Sequence, residues 1–277
     1  MSDRLRRATL GRVPAACRPA IDPGARRIGV VHLGIGAFHR AHQAFYTEEC
    51  GDWGICGVTQ RSPAVVNQLA PQNGLYTLLV REGDQARPTV MGAVRRVLFA
   101  GADPLAVANR IADPAVSVVT LTVSEKGYRH DPATRRLRLG DREIAADLAG
   151  RPARTVIGQL ATGLAARAAA GAGPVTVVCC DNLPDNGPTV RGLVMDYAAA
   201  RDPARLGWIA GNVAFPATMV DRIVPAATDA DRRDAERLTG LEDQGTVVAE
   251  PFTQWVIQDD FAAPRPAWER AGAQLVS

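Results

Sequence analysis

One lysine, Lys126, stands among 32 basic side chains, so arginine carries nearly all of the positive charge. Twenty-nine acids offset it and leave a formal net charge of only +3, which gives no argument for nucleic acid or a membrane as partner. The five cysteines, Cys17, Cys50, Cys56, Cys179 and Cys180, are odd in number and include no CxxC pair. Neither a zinc site nor a disulfide framework is therefore expected, and reduced thiols are. No apolar run is long enough to span a bilayer. The opening MSDRLRRATLGRVPAACRPA lacks the apolar stretch of a secretory signal. These absences point to a soluble, cytoplasmic protein. With 277 residues, 47% of them apolar, the chain can bury a large core.

What is present is an alternation. Residues 1–27, with Pro14, Pro19 and Pro23, read as a polar lead-in arm rather than core. Residues 28–33 form a short apolar strand, followed by Gly34-Ile35-Gly36 and a helix from Phe38 to Cys50. Residues 55–58 are a second strand, and Ser62-Pro63 starts another helix. Strand, glycine turn, helix and strand make a βαβ unit and imply a parallel sheet. Residues 75–81 and 89–98 are β-rich around a polar EGDQARP turn, which suits an antiparallel excursion. A short helix then starts at Asp103-Pro104. Strands at 116–123 and 175–180 alternate with helices at 154–171 and 187–200. The expectation is an α/β, Rossmann-like, doubly wound and mostly parallel sheet occupying 28–277. The end, Gln274 to Ser277, reads as an apolar run with no closing element.

Several places can carry chemistry. In VVHLGIGAFHRAHQ, Gly34 permits the tight turn after the first strand and Gly36 lets the backbone approach a pyrophosphate. His39 replaces the third glycine of the fingerprint, which weakens it, while the helix N-terminus still offers amides to a phosphate. His39 and His42 share a helix face, but with no carboxylate or cysteine nearby they read as packing residues rather than metal ligands. After the second strand comes Thr59-Gln60-Arg61-Ser62, with no acid to hold an adenosine ribose. Arg61 and Ser62 suit a 2′-phosphate, so NADP stays open beside NAD, although Arg61 can equally stack on adenine or face solvent. In SEKGY, Glu125 follows an apolar strand and can relay protons, and Lys126 reads as an exposed turn residue. In CCDNLPDNG, Asn182 can donate to a developing alkoxide, and Pro184, Asn186 and Gly187 read as a turn. That turn does not explain Asp181 and Asn182 at the strand tip. In FPATMVDRI, Asp221 beside Arg222 is either an internal ion pair or a ligand for a polyol hydroxyl.

Together the runs GIGAFHRAHQAFYTE, NGLYTL, LTVSEKGY, CDNLPDNG, FPATMVDRI and EPFTQWVI, spread over residues 28–261, resemble the polyol-specific long-chain dehydrogenases. That family comprises mannitol 2-dehydrogenase and fructuronate (mannonate) reductase. The resemblance implies a Rossmann-like domain followed by a helical C-terminal domain, which is absent from this chain. It implies zinc-independent hydride transfer with NAD, or less often NADP, on a small-molecule polyol or sugar acid. It implies that Leu33, Gly34, Ile35, Gly36, Ala37, Phe38 and His39 bind the dinucleotide, with Arg61 at its adenosine end. Glu125 then serves a proton path, Asn182 polarises the substrate oxygen, and Asp221 lies near the substrate. The family's general base is a lysine of a lysine–asparagine–histidine constellation beyond Ser277, so these 277 residues alone are expected to be inactive. Where the family usually has an asparagine–serine pair this chain has Ala217-Thr218. Two other readings use the same residues: a non-catalytic dinucleotide-binding module, and a sugar-acid sensor that binds no dinucleotide.

Overall fold

A computed structural model describes residues 3–83 and 85–277. Six strands form the main sheet: β1 (Arg27–Leu33), β2 (Trp53–Thr59), β5 (Val94–Phe99), β6 (Val118–Leu121), β7 (Val175–Cys179) and β8 (Val213–Ala214). Their order is β5-β2-β1-β6-β7-β8, and every neighbouring pair is parallel. The chain winds outward from β1 through β2 to β5, then returns to the other side of β1 and continues through β6, β7 and β8. This is the doubly wound order of dinucleotide-binding folds, and its reversal lies between β1 and β6. The sheet is Rossmann-like, as the sequence pattern implied. VVTL of β6 and VTVVC of β7 are buried throughout because layers cover both faces of the sheet.

One covering layer is helical. It holds α4 (Pro104–Ala112), α5 (Arg142–Leu148), α6 (Val156–Ala170), α7 (Asn186–Arg201) and α8 (Leu206–Asn212). Local chemistry sets its ends. Asp103 accepts from the Ala106 amide, Thr155 accepts from the Gly158 amide, and Gly171 closes α6 in the left-handed conformation that glycine tolerates. The other face is covered by α1 (Ala37–Ala41), α2 (Gln43–Glu48) and two small sheets. One small sheet joins β10 (Val247–Ala249), β3 (Tyr76–Glu82) and β4 (Gln85–Met91). The other joins β12 (Gln274–Val276), β11 (Gln254–Gln258) and β9 (Thr218–Asp221). Two helices complete the chain, α3 (Ala64–Leu69) and α9 (Asp229–Thr239).

Five expectations need correction. The polar EGDQARP segment is mostly strand: β4 pairs antiparallel with β3 from Tyr76↔Met91 to Glu82↔Gln85. As an edge strand β4 tolerates Pro88 and polar side chains. The run 89–98 is split between β4 and β5, because both the Gly92 and Ala93 amides donate to Glu48 Oε2, at 2.7 and 2.6 Å. The run 38–50 is broken at His42 (φ −117°, ψ −87°) into α1 and α2. Asn186 and Gly187 open α7 rather than making a turn. Finally, residues 274–276 pair with β11 as β12.

The arm also supplies core. Leu5 and Val13 are fully buried against Leu75, Val90 and Leu241. At its end Arg26 is buried in an ion pair with Glu48 at 2.5 Å. Burial pushes the Glu48 carboxyl up, and Arg26 and the two amides pull the other way. No described helix is long and apolar enough to cross a membrane. Leu5→Ala should destabilise the protein by about 3 kcal/mol in urea unfolding. A loss within the ~0.5 kcal/mol typical of surface changes would show that the arm is only draped on the fold.

Candidate functional site

The carboxyl ends of β1, β6 and β7 meet at the reversal of strand order. Gly34 leaves β1 with φ +107°, and a Cβ there would lie 2.1 Å from the Thr122 carbonyl oxygen. Only glycine fits that crossing. The Gly34 and Ile35 amides both donate to the Val58 carbonyl, at 2.8 and 3.0 Å, and the Thr122 hydroxyl donates to the Gly34 carbonyl at 3.0 Å. The loop is thereby tied to β2 on one side and β6 on the other. Gly36 differs. Its φ of −103° suits any residue, and a Cβ would meet only the Gly34 oxygen, at 3.8 Å. The fold itself leaves open space beside Gly36, directly ahead of the first-turn amides of α1, which have no intrahelical partner. Such a loop ahead of helix-start amides is the kind of place where a phosphate can be held. Gly34, Gly36, Ala37 and Phe38 border it, whereas Leu33, Ile35 and His39 turn buried side chains into the core.

His39 takes the place of the third glycine, which elsewhere lets helix and strand approach closely. Here the problem is solved by flat rings. The imidazoles of His39 and of His32 on β1 stack with centroids 3.4 Å apart and planes 16° from parallel. His32 is held by the hydroxyls of Thr120 and Thr122 at 2.7 and 2.8 Å. Burial drives its pKa down to about 3. The same cause, followed by the neighbouring His32 and Arg40, lowers His39 far below its usual value. His42 bonds through Nε2 to the Gln254 carbonyl at 2.8 Å, and burial lowers its pKa to about 4. The three rings are thus neutral packing groups. No cluster of three or more metal-ligating side chains occurs among the described residues.

The tips of β6 and β7 are joined by Asp181, which the sequence left unexplained. Its carboxylate accepts from the Val123 amide at 2.8 Å, the Ser124 amide at 3.0 Å and the Tyr128 hydroxyl at 2.5 Å. Burial raises its pKa, while these bonds act to lower it. Next to it, Asn182 is exposed and makes no hydrogen bond among the described residues, so its amide is free. Glu125 and Lys126 are exposed as well, in the turn that Asp181 holds. The buried Asn186 is a second residue whose role sequence reasoning missed. Its Nδ2 donates to the Cys179, Asp181 and Thr218 carbonyls, and its Oδ1 accepts from Thr218 N at 2.9 Å. It welds β9 to the tip of β7. Gly187 follows because a Cβ there would sit 2.3 Å from the Phe215 oxygen. For both residues the turn-like composition masked the signal.

Arg61 is exposed just beyond β2 with no partner among the described residues. Asp221, at the far end of β9, is exposed, while the buried Arg222 guanidinium bonds backbone carbonyls instead of it. The internal ion pair is thus a correction: strand alternation sends the two side chains to opposite faces. Arg222 is buried, bonds the Ala41 and Glu250 carbonyls and lies over the Phe45 ring. The structure therefore gathers the glycine loop, Arg61, Glu125 and Asn182 at one end of the main sheet. Asp221 belongs to the adjoining small sheet.

The sequence profile of the mannitol dehydrogenase Rossmann domain matches residues 28–270. Mannitol 2-dehydrogenase of Pyrenophora tritici-repentis is 42% identical over 258 residues, covering 90% of this chain and 46% of that protein. D-mannonate oxidoreductase of Escherichia coli is 38% identical over 270 residues, covering 94% and 56%. The solved structure of Pseudomonas fluorescens mannitol 2-dehydrogenase, a ternary complex with NAD and D-mannitol, superposes with a TM-score of 0.93 at 36% identity. It covers 99% of this chain and 58% of that one. The chain thus spans about half the length of the relatives it matches.

The buried histidines fix a pH dependence of stability. Each has a folded pKa below the unfolded value of 6.5, so the unfolded chain binds more protons below that pH. Their contribution is complete above about pH 6.5 and is lost as pH falls toward the folded values. Each ring adds a slope of up to about 1.4 kcal/mol per pH unit. Unfolding free energy from urea titration should therefore drop between about pH 7 and pH 5.5. Equal stability at the two pH values would mean that the rings are not buried in their neutral form.

Proposed function

The chain belongs to the mannitol dehydrogenase family, matching the profile of its Rossmann domain, and we propose that it binds NAD(H) across the crevice between β1 and β6 as the cofactor half of a polyol or sugar-acid oxidoreductase. The observation that carries this is the contrast between two glycines. Gly34 is required by the fold, whereas a Cβ at Gly36 would meet only the Gly34 oxygen at 3.8 Å, so the fold itself does not call for glycine there. In a doubly wound sheet the adenosine half lies over the end of the second strand and the pyrophosphate on the first helix. Arg61 then flanks the adenosine ribose, and the absence of an acid beside it keeps NADP as a second cofactor. The nicotinamide half falls on the other side of β1, over β6 and β7, where Glu125 and Asn182 are free.

NAD(H) would take or deliver the hydride as a polyol or hexonate is interconverted with its 2-keto form. Asn182 would donate its amide hydrogen to the substrate oxygen as charge develops there. Glu125 would pass protons to solvent, and Asp221 would accept from a substrate hydroxyl. The chain's one lysine, Lys126, is exposed in a turn, so this reading draws the general base from outside these 277 residues. The same observation favours a second reading, a dinucleotide-binding module without turnover of its own.

Calorimetric titration with NADH and NADPH, run beside mannitol and fructuronate turnover assays, tests the reading. Binding without turnover is expected. Binding of neither dinucleotide would overturn it, and turnover would place the base within the chain. Gly36→Ala should hold its melting temperature within about 2 °C. It should also lose at least about tenfold in NADH affinity. Gly34→Ala should fail to fold, because its Cβ has no room.

A further inference from the structure

Ser124 has φ +69° and ψ 154°. This is not the left-handed basin that Asn73, Arg129 and Asp185 occupy, but a region almost confined to glycine. The strain sits in a turn whose side chains at 124, 125 and 126 are exposed, so packing of those side chains does not impose it. Within the turn the Gly127 amide donates to the Ser124 carbonyl at 2.9 Å and Tyr128 is buried in the core, and one carboxylate ties the turn to the tip of β7. Asp181 Oδ1 accepts from the Ser124 amide and Oδ2 from the Val123 amide and the Tyr128 hydroxyl. The hydrogen bonds of the Asp181 carboxylate among the described residues all go to this turn. The residue after it, Asn182, is free. One carboxylate thus sets both the turn that carries Glu125 and the strand tip that carries Asn182.

We infer that Asp181 is a positioning residue: by holding the Val123 and Ser124 amides it keeps the strained turn that borders the nicotinamide half of the dinucleotide crevice. The inference rests on the proposed dinucleotide site. It says more than that site's existence, because it assigns the two halves of the ligand different dependence on one side chain. The adenosine and pyrophosphate lie over β2 and α1, away from Asp181. The nicotinamide lies over β6 and β7, where Asp181 acts.

The test compares NADH with ADP-ribose, which lacks the nicotinamide ring. Asp181→Asn keeps the volume but sets an NH2 group against an incoming amide N–H. It should weaken NADH by about tenfold, as expected when a hydrogen bond to a charged group is lost. ADP-ribose affinity should be unchanged, and exchange of the Val123 and Ser124 amide hydrogens should speed up. Adding Ser124→Gly, which makes the backbone conformation unstrained, should recover most of the NADH affinity. If Asp181→Asn fails to fold, Asp181→Glu displaces the carboxylate by one methylene and should give the same split. NADH binding equal to wild type, or equal loss for both ligands in a folded variant, would overturn the inference. Failure of the unmutated chain to bind either ligand would instead overturn the dinucleotide site itself, and amide exchange would still report whether Asp181 holds the turn.

Discussion

The site depends on one close approach, the passage of the Gly34 backbone over the Thr122 carbonyl. A Cβ at residue 34 would come within 2.1 Å of that oxygen, so the end of β1 can lie against the end of β6 only because no side chain is there. The approach brings the Thr122 hydroxyl to the Gly34 carbonyl and turns the Gly34 and Ile35 amides toward Val58. Three adjacent strands are therefore locked at the edge where the winding of the sheet reverses. Parallel sheets place ligands outside the carboxyl ends of their strands at such a reversal, so the constraint that closes the fold also sets the geometry of the proposed site.

Behind the loop, a second constraint decides how close α1 can come. The fingerprint's third glycine would leave room; His39 instead fills it with a flat ring against the flat ring of His32. The exchange trades backbone proximity for aromatic contact and obliges both rings to stay uncharged in the interior. The break at His42 belongs to the same arrangement. By leaving helical geometry the chain sends that ring to the Gln254 carbonyl and among Phe38, Tyr46 and Trp255. Glycine loop and small sheet are thus coupled through buried neutral histidines.

Much of this was legible in the sequence because it follows from local rules. Apolar runs of four to seven residues gave the strands, Gly34 and Gly171 marked turn and cap, and Asp103-Pro104 marked a helix start. What escaped was long-range. Leu5 and Val13 look like arm residues until Leu75, Val90 and Leu241 come to meet them. Asn186 looks like a turn residue until it bonds Thr218, 32 positions away. The split of run 89–98 depends on Glu48, more than forty positions earlier. None of these partners lies within a window that periodicity can read.

The candidate site can be separated from its scaffold by asking which polar side chains the fold has already used. Asp181 holds two amides and a hydroxyl, Asn186 ties three carbonyls, and Asp243 takes the Thr77 and Gly245 amides together with the Gln72 side chain. Each is buried or nearly so and satisfied, which is what a buried polar group must be. Arg61, Glu125, Asn182 and Asp221 have no such partners, and the first three stand around the reversal point. The chain binds its own backbone thoroughly with acids and amides, yet leaves Arg61, Glu125 and Asn182 exposed at the end of the sheet that carries the glycine loop. The volume logic of a core does not account for them, and their free donors and acceptors are what the proposed dinucleotide and hydroxylated substrate would use.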